Sequence, residues 1–321
     1  MKFKPPVDLF KKIGYNGDGR KGAMPVAMRI TDETLMGTFE QKRELVRSFT
    51  MFDDDFFAVV MEDKAAAQEV LRVLTEIPDL VVKEIKTQYS IRNLGTHSVV
   101  LDALAEDSRH KLYNLELQVA DQDDHQKRVR YYQSNIDISY LDKGKNYEEL
   151  PELYLIYMTK FDLFHLGQVK YTIYRGIAGT DVILDNGVHE LYINAANHDG
   201  TVVAELMEFF TETGTRKQQF PELSGRIHYL KEEQEGVTRM CEAVRKYGDE
   251  REDRGRSEGM QQGMQKGMQQ GMQKGMQKGM QQERVETIRN ALKMNLPLET
   301  VAQLVRLPVE EVRKLIAELE Q

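Results

Sequence analysis

Three polar residues carry the most chemistry for their positions in this sequence. Asp102 interrupts the apolar run SVVLDAL at 98–104, and Glu116 and Gln118 alternate with Leu115 and Leu117 in KLYNLELQV at 111–119. Period-two alternation marks a strand with two different faces. Tyr113, Leu115, Leu117 and Val119 are therefore expected on a core face, and Asn114, Glu116 and Gln118 on a polar one. The polar stretch AEDSRH between the runs reads as a turn, which makes the pair a β-hairpin. In that hairpin Asp102 lies about opposite 113–116, and Glu116 and Gln118 stand side by side, about 7 Å apart at Cα. Two carboxylates converging from adjacent strands suit a hard divalent cation such as Mg²⁺, which takes one or two carboxylates together with waters and phosphate oxygens. A cation held there polarises a phosphodiester and makes a nucleophile of water. The same Glu-x-Gln is also what the solvent face of any half-exposed hairpin displays, and spacing alone leaves both readings open.

The elements around this pair must position it. Asp53 opens a helical pattern through about 76, with Phe57, Val60, Met61, Leu71 and Leu74 near helical spacing and Pro78 after the end. Residues 121–141 begin with acids and read as a helix ended by Gly144; they carry Lys127, Arg128 and Arg130 beside Tyr131 and Tyr132. Basic and aromatic groups so placed suit a nucleic-acid backbone and a splayed base, and they equally suit a solvated helix face. ELYLIYM at 152–158 reads as a strand, as do VKYTIYR and DVILDNGVHELYIN, the last split by an Asn186-Gly187 turn that favours a tight hairpin. Beyond 200, helical patterns dominate.

Composition narrows the classes. The 321 residues are 40% apolar and 30% charged, with 44 basic and 52 acidic side chains for a formal charge of -8. That is the composition of a soluble globular chain of roughly two domains, and it gives no global attraction to nucleic acid. Cys241 is the only cysteine, which excludes a disulfide framework and thiolate metal clusters and fits a reducing cytoplasm. The seven histidines lack the paired spacing of a zinc site, and most of them read as surface or strand-end residues. No stretch is apolar for the roughly 18 residues a membrane span needs, and no apolar h-region follows the first lysines. Gly17-Asp-Gly19-Arg-Lys-Gly22 matches G-x-G-x-x-G without a preceding strand, so it reads as a loop within a basic arm over 1–28. Neither a P-loop nor a Gly-x-Ser-x-Gly elbow is present.

From Gly259 a four-residue unit, GMQQ or GMQK, repeats six times through Gln282. Its methionine stripe drifts about 40° per unit around a helix, and each glycine costs about 1 kcal/mol relative to alanine, so the tract reads as a linker: a marginal helix or a flexible tether. Residues 283–321 follow as three short helices resembling a helix-turn-helix, with Pro297 and Pro308 opening the second and third. Six basic against seven acidic residues make this module a better candidate for partner contact or a homo-oligomer through the C-terminal region than for reading DNA.

The ordered series of motifs resembles a known family. Asp54-Asp-Phe-Phe57, Asp102 in an apolar strand, Asn114-Leu-Glu116-Leu-Gln118, Lys127-Arg128-x-Arg-Tyr-Tyr132-Gln-Ser134, Gly144-Lys-x-Tyr147-x-x-Leu150-Pro and the YLIYM strand together look like the PD-(D/E)xK nuclease family transposases, or recombination-promoting nucleases, over roughly 30–210. The resemblance implies an α/β restriction-endonuclease-like core, a central mixed sheet flanked by helices, followed by a helical C-terminal region. It implies a metal-dependent endonuclease hydrolysing double-stranded DNA with Mg²⁺, or Mn²⁺, and acting in recombination or mobile-element processes. Asp102 and Glu116 would be the metal ligands, Asp54 the acid of the first helix, and Arg128 a helix arginine facing the site. Gln118 stands where the family name has lysine, and a neutral amide can only donate and accept hydrogen bonds. That departure motivates the alternative of a catalytically degenerate fold serving as a DNA-binding or oligomerising module. The organisation expected is an arm over 1–28, a nuclease-like domain over 29–215, a helical region over 216–258, the repeat over 259–282 and the small helical module over 283–321.

Overall fold

The structure, a computed structural model, describes residues 37–91, 99–121 and 124–319. The basic arm and its glycine-rich string lie outside the described residues. The chain divides into two compact units, one through Tyr247 and one over Gly248–Gln321.

In the first unit three helices, α1 (Phe39–Arg47), α2 (Asp54–Met61) and α3 (Lys64–Thr75), precede three strands, β1 (Val82–Ile91), β2 (Val99–Asp107) and β3 (Leu112–Gln118). Helix α4 (His125–Tyr140) leads to β4 (Leu153–Thr159), β5 (Lys170–Ile173), the short β6 (Arg175–Gly176) and β7 (Ile183–Leu184), and β8 (Val188–Asn194). Helices α5 (Val202–Thr211), α6 (Pro221–Glu232) and α7 (Gln234–Lys293) follow. The main sheet runs β1-β2-β3-β4-β8-β5. Its first three strands are antiparallel, β3-β4 and β4-β8 are parallel, and β5 is antiparallel to β8. The parallel β3-β4 pair needs a crossover, and α4 supplies it.

Each face of the sheet is covered. Ala103, Ala105, Tyr113, Leu115, Leu117, Ile156, Met158, Leu191 and Ile193 pack with α2, α3, α5, α6 and the start of α7. Leu104, Leu112, Leu155, Tyr157 and Tyr192 pack with Val129, Tyr132 and Ile136 of α4. Helix α2 is buried over Asp55–Met61, as a helix apolar all round must be. Helix α3 buries Ala66, Ala67, Val70, Leu71 and Leu74 at helical spacing, and the Asp63 carboxylate caps it by accepting from the Ala65 and Ala66 amides at 3.0 Å.

Three expectations are corrected. The strand expected to end at 104 runs to Asp107, because the Asp107 carboxylate accepts from the amides of Arg109 and Lys111 and from the Tyr113 hydroxyl, drawing the turn tight after it. The face of Asn114, Glu116 and Gln118 is not solvated: all seven residues of β3 are buried, because α4 covers that side. The Asn186-Gly187 turn does not join a hairpin, since β7 pairs with β6 whereas β8 finds β4 and β5.

In the second unit the GMQQ/GMQK tract is helical throughout, within α7. Ile288 and Ala291 near the end of that helix pack with Val301, Ala302 and Val305 of α8 (Leu298–Val305) and Val312 of α9 (Val309–Leu319). Both proline starts agree with the sequence reading, whereas the first of the three expected short helices is not separate but the end of α7.

Two positions hold the first unit's helices in register. A Cβ built on Gly236, at the start of α7, would lie 2.0 Å from the Tyr229 carbonyl oxygen. Lys231 is buried and its ammonium donates to the carbonyl oxygens of Arg47, Phe49 and Thr213, tying the loop after α1 to the loop after α5. Burial lowers its pKa to about 8, while Asp53 and Glu232 act in the opposite sense. Gly236→Ala is expected to destabilise the first unit by about 2 kcal/mol or more, read from the urea midpoint. Because the unfolded chain keeps the Lys231 proton up to the ordinary 10.5, wild-type stability gains a rising contribution between about pH 8 and that value, and Lys231→Met removes it from the pH profile.

Candidate active site

The β2-β3 ladder pairs Glu106 with Leu112, Ala105 with Tyr113, Leu104 with Asn114 and Ala103 with Leu115. One step further, Asp102 stands across from Glu116, and main-chain pairing gives way to side chains. The Asp102 amide donates to Glu116 Oε1 at 3.3 Å, and the Leu117 amide donates to Asp102 Oδ2 at 2.9 Å. Each acid thus reaches the main chain of the other strand, and both are buried, 1% and 3% exposed. Asn114, on the same face and also buried, reaches Glu116 Oε1 and the Ala103 carbonyl oxygen at 3.2 Å with its amide nitrogen turned towards them.

The other edge of β2 is interrupted at the same level. Pairing with β1 joins Thr87 to Ala103 and Tyr89 to Leu101, and skips Gln88, whose φ is +47°. A left-handed residue inside a strand breaks the alternation of faces. Accordingly, Ile85, Ala103 and Ala105 pack on the α2-α3 side, whereas Tyr89, Ile91, Val99 and Leu101 pack on the α4 side. Asp102 thus occupies the point where the sheet changes sides.

Helix α4 completes the surroundings. Arg128 Nη1 donates to Gln118 Oε1 at 2.9 Å, and Gln118 Nε2 donates to the Ala120 carbonyl oxygen at 2.8 Å. Burial works against the Arg128 charge, yet its pKa is raised, because Tyr132, Tyr157 and Asp124 favour the cation; Asp124 lies 3.3 Å away. His125 is buried, with Nδ1 2.9 Å from the Tyr157 hydroxyl and Nε2 3.3 Å from Asp121. His125 is thus an exception to the surface and strand-end positions expected of most histidines. Its signal lay in the inward spacing His125, Val129, Tyr132, Ile136 along α4.

The remaining candidates fall into separate places. Lys127 and Arg130 are exposed on α4. Tyr132 is corrected from a nucleic-acid contact to a core residue, 7% exposed among Val129 and Ile136, and its neighbour Tyr131, at 38%, is the outward ring. Adjacent helix residues point about 100° apart, so only one of the two can face out. Asp54 is half-buried in the first turn of α2, a helix that packs on the sheet side opposite α4. Among the described residues no group of three or more His, Cys, Asp and Glu is arranged to hold a metal. Asp102 and Glu116 offer two hard oxygen donors, within the one or two carboxylates that a Mg²⁺ or Mn²⁺ site uses when waters and phosphate fill the rest.

Residues 61–177 match the family model of the PD-(D/E)XK nuclease family transposases. This segment is similar to that family. No curated protein and no solved structure gives a significant match to the chain. The mixed six-stranded sheet flanked by helices is consistent with the restriction-endonuclease-like α/β fold of PD-(D/E)XK proteins, and the similarity suggests a nuclease-type function. The PD-(D/E)XK segment contains Asp102, Glu116, Gln118 and Arg128, whereas Asp54 lies before it. No described helix is long and apolar enough to cross a membrane.

Asn114→Ala is expected to cost about 1–3 kcal/mol, since a buried carboxylate oxygen and a carbonyl each lose a donor. Gln88→Gly, by contrast, should leave stability unchanged or raise it by up to about 1 kcal/mol, because glycine adopts positive φ without strain; chemical denaturation of both variants measures the difference.

Proposed function

We propose that the chain is a metal-dependent endonuclease that hydrolyses phosphodiester bonds of double-stranded DNA at Asp102 and Glu116. The observation that supports the reading is the reciprocal anchoring of two buried acids across the opened β2-β3 ladder, the Asp102 amide on Glu116 and the Leu117 amide on Asp102, inside the matched segment. Asp102 and Glu116 would hold Mg²⁺ or Mn²⁺. Such a cation supplies charge to polarise the scissile phosphate and to make water a nucleophile at neutral pH. Asn114 fixes the Glu116 carboxylate, and the Asp102 and Leu117 amides fix both acids to the main chain, so that neither must reorganise when phosphate arrives.

Gln118 cannot carry a proton or a positive charge, so its part is positional: its carbonyl oxygen holds the Arg128 guanidinium at the end of β3. Arg128 then supplies the cation near the phosphate that lysine supplies elsewhere, and Lys127 and Arg130, exposed on the same helix, would bind the flanking backbone. The role in recombination or transposition follows the family name.

One observation favours a second reading, a degenerate fold that binds DNA without cutting it: both ends of the Gln118 amide are engaged by protein groups, in the position where the family motif has lysine. Nicking of supercoiled DNA separates the two. With Mg²⁺ or Mn²⁺ the wild type nicks, and Glu116→Ala, with unchanged circular dichroism, loses roughly two orders of magnitude or more in rate. Equal nicking by both proteins contradicts the assignment of Glu116, and DNA binding without nicking in either metal selects the second reading.

A further inference from the structure

Helix α4 is joined to the sheet by a polar contact at its first residue. His125 is 3% exposed, and its ring packs against those of Tyr157 and Phe161, with centroids 5.7 Å and 5.3 Å away. Both nitrogens are engaged: Nδ1 lies 2.9 Å from the Tyr157 hydroxyl and Nε2 3.3 Å from Asp121 Oδ1. An apolar side chain would fill such a position without hydrogen bonds, and a buried imidazole is tolerated when its nitrogens are paired. Two fixed nitrogens also fix the plane of the ring, which apolar packing alone does not.

The usual tether of a helix start is used elsewhere. Asp124, at the N-cap of α4, makes no side-chain cap hydrogen bond. Its carboxylate lies instead 3.3 Å from Arg128 Nη2. The first turn of α4 is therefore tied to β4 by His125, through the Tyr157 hydroxyl.

What this turn places is Arg128. His125 and Arg128 are three residues apart, on one side of the helix, and Arg128 Nη1 donates to Gln118 Oε1 at 2.9 Å. Tyr157 stands in register with Glu116 of β3, so the residue that fixes His125 lies on the strand beside the proposed metal ligand. Turning α4 by about 20° would carry a group on its rim by about 2 Å, which a hydrogen bond does not survive. A displacement of about 1 Å at a group that meets the reacting atoms costs on the order of 10²-fold in rate.

We infer that His125 is a positioning residue: joined to Tyr157, it sets the turn of α4 that holds the Arg128 guanidinium against Gln118 at the end of β3. The inference rests on the proposed nuclease reading, in which Arg128 supplies the cation near the phosphate, and His125 acts only through Arg128.

Steady-state nicking of supercoiled DNA with Mn²⁺, beside Mn²⁺ binding by the same proteins, tests it. His125→Phe should lower kcat by about ten- to a hundredfold, with KM, Mn²⁺ affinity and circular dichroism unchanged. Tyr157→Phe, which removes only the hydroxyl, should do the same. His125→Asn, whose amide can take the place of Nδ1, should stay within about threefold of wild type. Arg128→Gln lowers kcat, and adding His125→Phe to it should lower kcat no further, because residues that act as one unit are not additive. Wild-type kcat in both His125→Phe and Tyr157→Phe, a loss that multiplies with that of Arg128→Gln, Mn²⁺ affinity that falls with kcat, or His125→Asn as slow as His125→Phe would each overturn the inference and leave the nuclease reading in place. A wild type that does not nick removes that reading, and the inference with it.

Discussion

Two carboxylates take the place of main-chain partners where β2 and β3 separate, and the rest of the first unit is arranged around that substitution. A buried carboxylate is costly unless it is hydrogen-bonded. Here the Asp102 amide binds Glu116 and the Leu117 amide binds Asp102, so each acid is anchored by the neighbouring strand. The left-handed Gln88 on β1 releases β2 from regular pairing at the same level, and the change of sheet side that follows lets Val99 and Leu101 pack with α4 while Ala103 and Ala105 pack with α2 and α3. One local irregularity therefore both places the acids and joins the two cores.

The crossover helix sets basic groups beside this geometry. Its inner side carries His125, Arg128 and Tyr132 towards the sheet, and its outer side carries Lys127, Arg130 and Tyr131. The chain as a whole is acidic, at -8. A basic outer side on the helix next to the two buried acids is thus a local feature set against the overall charge, and under the proposed function it is where phosphate contact would be concentrated.

Much of this was legible in the sequence. The alternation in 111–119 gave β3, the lone acid in an apolar run marked Asp102, and the short polar connection paired them, because strand period and hairpin closure are local properties. What was not legible depended on distant partners. The second face of β3 looked solvated because nothing in its own residues announces that α4 covers it. Tyr131 and Tyr132 differ by one residue, and only packing decides which of them is buried. The Asn186-Gly187 pair carries a strong turn signal, yet β8 is claimed by β4 and β5. The positive φ of Gln88 has no glycine to announce it. In the second unit, the four-residue period fixed the drift of the methionine row, while the glycines made helix and tether equally plausible from composition.

The most direct measurement is binding of Mn²⁺ to the full chain, followed by electron paramagnetic resonance of the free ion, in wild type and in Asp102→Asn and Glu116→Gln. Paired carboxylates acting as one site predict a saturable Mn²⁺ site that both substitutions abolish. Saturable binding that survives either substitution, or no binding by the wild type, would contradict the account.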